Sequence, residues 1–250
     1  TQTNVASLET QKNLFRSQAA LQKSFSRLSS GHRINSAADD AAGLAISESM
    51  RTQIRSYVVA ERNASDAISM TQTAEGALGE MHSILGRLRE LAMQGSNGSM
   101  TATDRGYLST EFSALQAEMT RIQASSKFNG KSLLSATASS LTFQVGLNNT
   151  ASDKVTLTFG GLGLTTLLAA TTNLSGAGTT ASLTALGRID SALATISTSR
   201  ARFGAAMNRF EVVTSSIQTM RLNLSAANSR IRDVDVADET SKMSRNQVLS

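Results

Sequence analysis

The sequence predicts a mainly α-helical fold, a long antiparallel helical bundle or coiled-coil rod with a small β-hairpin or β-meander tip. Three observations carry that prediction. Large apolar residues recur every seven positions at Ile189, Ile196, Phe203, Phe210, Ile217, Leu224 and Ile231, without a gap. A strict seven-residue repeat keeps one seam of a slightly underwound helix turned toward partner helices. The chain holds no Pro, so the strongest helix breaker is missing. Between the helical stretches lies one short region where apolar residues alternate instead, the period of a strand.

The elements follow in chain order. In segment 1–34, Asn4 is a candidate N-cap before the run from Val5, and Leu14, Leu21 and Leu28 recur by sevens beside Phe25. Ser29, Ser30 and Gly31 punctuate it. Segment 35–135 opens on a small, polar stretch, Asn35 to Ala45, and helix is expected to resume with Ile46, Met50, Ile54 and Val58. Thr71, Ala74, Leu78, Met81, Leu85, Leu88 and Ala92 then alternate by three and four, which marks one buried helical face. Gly95 and Gly98 stop that run. Thr101 or Thr103 can cap the next helix, whose face is Leu108, Phe112, Leu115, Met119 and Ile122.

Segment 136–183 changes character. Leu141, Phe143 and Val145 alternate with polar residues, as do Val155, Leu157 and Phe159, which reads as a hairpin or meander. Gly160 to Ser182, rich in Gly, Ser, Thr and Ala, reads as exposed loop or weak strand. Segment 184–232 is the long heptad helix, about 65 Å from Ile189 to Ile231 at about 1.5 Å per residue. Arg200, Thr214, Arg221 and Asn228 interrupt its second row. The seam is therefore expected to pack on unlike helices of the same chain. Segment 233–250 begins a further terminal piece.

Composition excludes several function classes. With no Cys there is no disulfide, thiolate metal site or cysteine nucleophile. No apolar run reaches the length of a membrane-spanning helix, so no membrane insertion is expected. The net charge of +5 permits an anionic polysaccharide as partner. With only 4% aromatic residues, most of the Phe sitting in apolar periodicities, nucleic acid is not expected. Seven Arg against Asp190 and Glu211 lie between Arg188 and Arg232. A solvated, ion-paired face explains that run, and a polyanion-binding stripe is the sharper alternative.

Chemistry finds no foothold. His32 and His82 lack ligand spacing, and no Ser sits in a G-x-S-x-G elbow. Asp39 and Asp40 read as acceptors for backbone amides or Arg33 rather than an acid/base pair. Asp233, Asp235, Asp238 and Glu239 lack the Gly and terminal Glu of a calcium loop. Gly161-Leu162-Gly163 is a turn, since no Lys follows at phosphate-loop spacing. No enzyme, metal or cofactor is expected.

The block Leu28-Ser-Ser-Gly-His-Arg-Ile-Asn-Ser-Ala-Ala-Asp-Asp-Ala-Ala-Gly-Leu-Ala-Ile46 resembles the N-terminal hallmark of bacterial flagellins. Thr73-Ala-Glu-Gly-Ala-Leu78, Arg87-Leu-Arg-Glu-Leu-Ala-Met-Gln94 and Phe128-Asn-Gly-Lys-Ser-Leu-Leu134 agree in order and spacing. The run Ser229-Arg-Ile-Arg-Asp-Val-Asp-Val-Ala-Asp-Glu-Thr-Ser-Lys-Met-Ser-Arg-Asn-Gln-Val-Leu249 is similar to the C-terminal hallmark. The resemblance covers residues 1 to about 135 and 184–250. It implies a flagellar filament subunit, exported unfolded through the flagellar type III pathway and polymerised helically outside the cell for motility. Segments 1–34 and 233–250 would then belong to an inner tube, and the helices between them to an outer rod domain. Family members usually begin a little before Thr1 and extend about one helix beyond Ser250. The chain is accordingly expected to be clipped, mostly at the C-terminus.

The partners the resemblance implies are other flagellin subunits, an export chaperone, cap and junction proteins, and the innate flagellin receptor of vertebrates. Arg87, Leu91 and Glu118 match the positions implied for receptor and subunit contact, while Gly86 departs from the polar residue common there. Without the family, Arg87 and Glu118 read as solvated charges and Leu91 as ordinary core. Two other functions remain open on the sequence: a hook-filament junction protein, and a cell-surface adhesin for an acidic polysaccharide on the same fold.

Overall fold

The structure, a computed structural model, describes residues 4–164 and 179–249. Its helices are α1 (Val5–Ser30), α2 (Ala41–Gly95), α3 (Ala102–Ser125), α4 (Thr180–Arg232) and α5 (Val236–Val248). Two small antiparallel sheets lie between α3 and α4: β1 (Lys127–Phe128) with β2 (Lys131–Ser132), and β3 (Ser139–Gln144) with β4 (Lys154–Phe159). The expected mainly helical class with a small β element is what the chain forms. The Gly/Ser/Thr-rich stretch read as loop falls largely on 165–178, outside the described residues.

Helix ends are set by local chemistry. Asn4 caps α1 by accepting from the Ser7 amide at 3.2 Å, and Gly31 ends it in the left-handed region at φ 70°. Helix α2 starts at Ala41, five residues before Ile46. The cause is Asp40, whose carboxylate accepts from the Gly43 amide at 2.9 Å and so serves the first turn. Thr101 and Asp104 form a reciprocal capping box on α3. Between α2 and α3 the buried Arg105 guanidinium donates to the Gly95 carbonyl at 3.0 Å and the Asn97 carbonyl at 3.2 Å. Those are end-of-helix acceptors that would otherwise lack a partner.

Contacts divide the chain into two compact units, Thr1–Val59 with Ile217–Ser250, and Ala60–Ser216. In the central unit α2 and α4 run antiparallel, held at their edges by Arg89–Asp190 at 2.7 Å and Arg200–Glu75 at 3.1 Å. All seven residues of the α2 face marked by three-four spacing are fully buried. Facing them in the core are Phe112 and Met119 of α3 and Ile189, Ile196, Phe203 and Phe210 of α4, all buried. Each such large side chain contributes about 1.5–3 kcal/mol on leaving water. At Gly95, which is buried, an added Cβ would come within 2.8 Å of the Ser182 hydroxyl, so the helices approach as closely as a glycine allows.

The β3–β4 pairing sets Leu141 opposite Leu157 and Phe143 opposite Val155. That puts one apolar face inward, and it is anchored on the heptad seam. Phe143 meets Phe210 edge-on at 5.6 Å between ring centres, and Phe159 lies 5.4 Å from Phe203. The outward face is a hydroxyl ladder, Ser140 with Thr158 at 3.0 Å and Thr142 with Thr156 at 3.2 Å.

In the terminal unit α1 packs on α5, and α2 meets α4 through Glu48–Arg232 at 2.6 Å. The chain segment between α1 and α2 crosses the segment between α4 and α5. There His32 and Asp233 form an isolated antiparallel bridge, with Arg33 N–H donating to Arg232 at 2.6 Å and Val234 N–H to Gly31 at 3.1 Å. Of the heptad row, Ile217 is buried here, whereas Leu224 and Ile231 are half-buried.

Candidate subunit-interaction surfaces

Helix α1 carries two apolar faces, and among the described residues one is covered and one is open. Leu21 and Leu28 lie half-buried on the α5 side, where the Ser24 hydroxyl donates to the buried Glu239 carboxylate at 2.7 Å. Arg27 adds an ion pair to Glu239 at 3.6 Å. The opposite face holds Val5, Leu8 and Phe15, which point into solvent; Val5 and Phe15 are each 69% exposed. Leu14, expected in the α1 seam, is exposed as well, because the α5 contact does not reach that far along the helix. On α5, Val236 is 61% exposed. Exposed large apolar residues aligned on one helix face mark a binding surface rather than scattered surface hydrophobicity.

The junction at the C-terminal end of α1 is polar. Asp39 accepts from the Asn35 and Ser36 amides at 3.3 Å each and pairs with Lys23 at 2.6 Å. The Lys23 ammonium first, then those two amides, hold its carboxyl down at about 2. The backbone-acceptor reading of Asp39 and Asp40 is what the structure shows. Arg33 goes elsewhere, donating to the Ile231 carbonyl at 2.6 Å.

In the central unit Arg87 and Leu91 lie one turn apart on α2, and Glu118 lies on α3. Arg87, on α2, donates to Glu90 at 2.9 Å and to Glu111 of α3 at 2.8 Å, and these carboxylates raise its already high pKa. Leu91 is 1% exposed and belongs to the core. It offers a partner no surface of its own. Glu118 does not meet Arg87; it accepts two hydrogen bonds from Arg121 on its own helix, at 2.7 and 2.5 Å, which lower its carboxyl pKa. The acid opposite Arg87 is Glu111, which the sequence reading missed. The signal was available: a turn closing near residues 97–100 sets antiparallel neighbours equidistant from it, and that register matches 87 with 111 rather than with 118.

The acidic run Asp233 to Glu239 is spent on folding. Asp235 is the N-cap of α5, accepting from the Ala237 and Asp238 amides at 2.9 and 3.2 Å. Among the described residues no group of His, Asp or Glu is arranged to hold a metal. No described helix is long and apolar enough to cross a membrane. The Arg run of α4 is largely consumed within the chain: Arg200 and Arg232 form ion pairs, and Arg188 and Arg221 are also engaged.

Comparison with known proteins completes the picture. The model of the bacterial flagellin N-terminal helical region matches residues 1–139, and that of the C-terminal helical region matches 186–250. The chain is 42% identical over 229 residues to a flagellin of Halalkalibacterium halodurans, covering 92% of this chain and 84% of that one. It is 40% identical to a flagellin of Bacillus subtilis, covering 99% and 91%. A flagellar filament core protein of Brachyspira hyodysenteriae is 39% identical over 99% of this chain and 90% of its own length.

Among solved structures, a Bacillus cereus flagellin superposes with a TM-score of 0.54 at 32% identity, covering 67% of this chain and 94% of that one. A putative flagellar hook-associated protein from Vibrio parahaemolyticus superposes with a TM-score of 0.67 at 14% identity, covering 78% and 100%, and shares the fold alone. With both terminal regions matched and full-length relatives at this identity, the chain belongs to the bacterial flagellin family and is a structural subunit of the flagellar filament.

Proposed function

We propose that the chain polymerises by burying the open face of α1, around Leu8 and Phe15, against other copies of itself. The observation that carries this reading is the second apolar face of α1, with Val5, Leu8 and Phe15, which no described residue covers. Segments 1–34 and 233–250 form the inner layer of the filament, and the helices between them form the outer layer. Burying Phe15 alone contributes about 1.5–3 kcal/mol per contact, repeated at every subunit. Leu8→Glu and Phe15→Glu should abolish filaments in electron micrographs and sedimentation while leaving the monomer's circular dichroism unchanged. Filaments of normal length from both variants would refute the assignment.

Export through the flagellar type III pathway, with chaperone, cap and junction partners, fits a chain that needs no disulfide and no slow prolyl isomerisation. Its destination is then the extracellular flagellum. Undiminished secretion from cells lacking that export apparatus would overturn this route. For the vertebrate receptor, Arg87 and Glu118 offer exposed charges, and Leu91 acts by keeping α2 packed. Because Glu111 rather than Glu118 faces Arg87, Glu111→Ala should lower receptor activation together with Arg87→Ala. A response depending on Glu118 alone would argue the opposite.

A further inference from the structure

We propose that the cleft between α1 and α5 in the terminal unit is a binding site for a tetrahedral oxyanion, inorganic phosphate or sulfate. Lys23 and Arg27 stand four residues apart on α1, and Lys242 and Asn246 stand four apart on α5, with Arg245 beside them. Residues at these spacings share one helix face. The packing of α1 on α5 turns the two faces toward one cavity of about 210 Å³. Four cationic side chains and one carboxylate, Glu239, line it. The lining has no aromatic residue, and Ala20 is its one apolar side chain. A site for a drug-sized organic molecule would be mainly apolar.

The carboxylate is already taken. Glu239 is 4% exposed, with Oε1 accepting from the Ser24 hydroxyl at 2.7 Å and Oε2 lying 3.6 Å from Arg27. The cations are less fully matched. Lys23 pairs with Asp39 at 2.6 Å and Lys242 with Asp238 at 2.5 Å, and neither acid lines the cavity. An ammonium has three N–H donors, so one carboxylate leaves each lysine with donors to spare. Arg245, in the last turn of α5, pairs with no carboxylate among the described residues. Its guanidinium and the Asn246 amide bring further donors to the same cleft.

A tetrahedral oxyanion matches this arrangement. Its oxygens point in several directions, so one ion can accept charge-assisted hydrogen bonds from both helices. Lysine and arginine stay charged across neutral pH, so the site depends on no titrating side chain. Like charges facing each other across the cleft repel, and a bound anion offsets that repulsion. A ligand that bridges α1 and α5, and finds no such site in the unfolded chain, stabilises the terminal unit by mass action. Leu8 and Phe15 are not among the lining residues, so the site stands apart from the surface assigned to polymerisation.

Isothermal titration of the unassembled full chain with sodium phosphate tests the site, with ionic strength held constant by chloride. Phosphate and sulfate should each bind saturably at one site per chain, and chloride should not. The Ser24 and Asn246 amide signals should shift with the same midpoint in NMR spectra. Arg245→Gln and Lys242→Gln should each weaken binding about tenfold, the loss of one charge-assisted contact. Arg209→Gln removes the same charge from an exposed position on α4 and should leave the affinity unchanged. A response that never saturates, one that chloride reproduces, or an affinity that survives either cleft substitution would overturn the site.

Discussion

The ring pair Phe143–Phe210 is the sharpest test of how the β3–β4 hairpin is held. Phe210 is fully buried, and its ring meets Phe143 edge-on at 5.6 Å with an interplanar angle of 85°. That geometry sets the positive edge of one ring against the negative face of the other and adds about 0.5–1.5 kcal/mol beyond area burial. Replacing either residue by Leu keeps an apolar side chain, so each single variant should cost about 1–2 kcal/mol. The double variant should then cost less than the sum of the two by the ring–ring amount. Four proteins unfolded in urea and followed by circular dichroism give the coupling directly. Sites that do not touch add within about 0.3–0.5 kcal/mol. A coupling inside that margin would mean that the hairpin is not docked on α4, and the central core would have to be redrawn.

Two further outcomes follow from the same packing. Gly95→Ala should destabilise the chain by about 1–3 kcal/mol, since its new methyl group meets the Ser182 hydroxyl at 2.8 Å. Ser182→Gly in the same chain should restore most of the loss in thermal melts, and a lack of rescue would place the strain elsewhere. Asp39 has a carboxyl lowered from 3.8 to about 2 in the folded chain, so its contribution is complete above about pH 4 and fades as pH falls toward 2. Asp39→Asn should flatten the melting temperature against pH in that window, and an unchanged acid slope would show that other carboxylates carry it.

The helices were legible because their periodicity is local. The three-four spacing from Thr71 to Ala92 identifies seven residues that are all fully buried. Alternation in the hairpin likewise gives its inward face, with Val155, Leu157 and Phe159 buried. Coverage was not legible. Leu224 and Ile231 look equivalent to Phe210 in the heptad row, yet they are half-buried, because what fills the opposite side depends on residues far away in sequence. For α1 the apolar pattern identifies a helix but not which face its partner takes. The pairing of Ser24 with Glu239 and of His32 with Asp233 joins residues about two hundred positions apart, and no local spacing encodes it. The Glu111 partner of Arg87 lay between these cases, readable from turn register rather than from periodicity.

The terminal unit is discontinuous, built from the first and last parts of the chain, and chain-closure entropy then predicts an order of folding. The central unit is a single continuous stretch, and its closure from Glu75 to Arg200 spans fewer residues than the terminal unit's from Ser24 to Glu239. The terminal unit must close one long loop, and closure entropy is lost before its contacts return anything. Once the central stretch has folded, that loop is effectively shortened, and the α1–α5 pairing forms last. A chain emerging N-terminus first would therefore carry α1 unpartnered until α5 is out. The helix that carries exposed Val5, Leu8 and Phe15 would then be among the last to find its place.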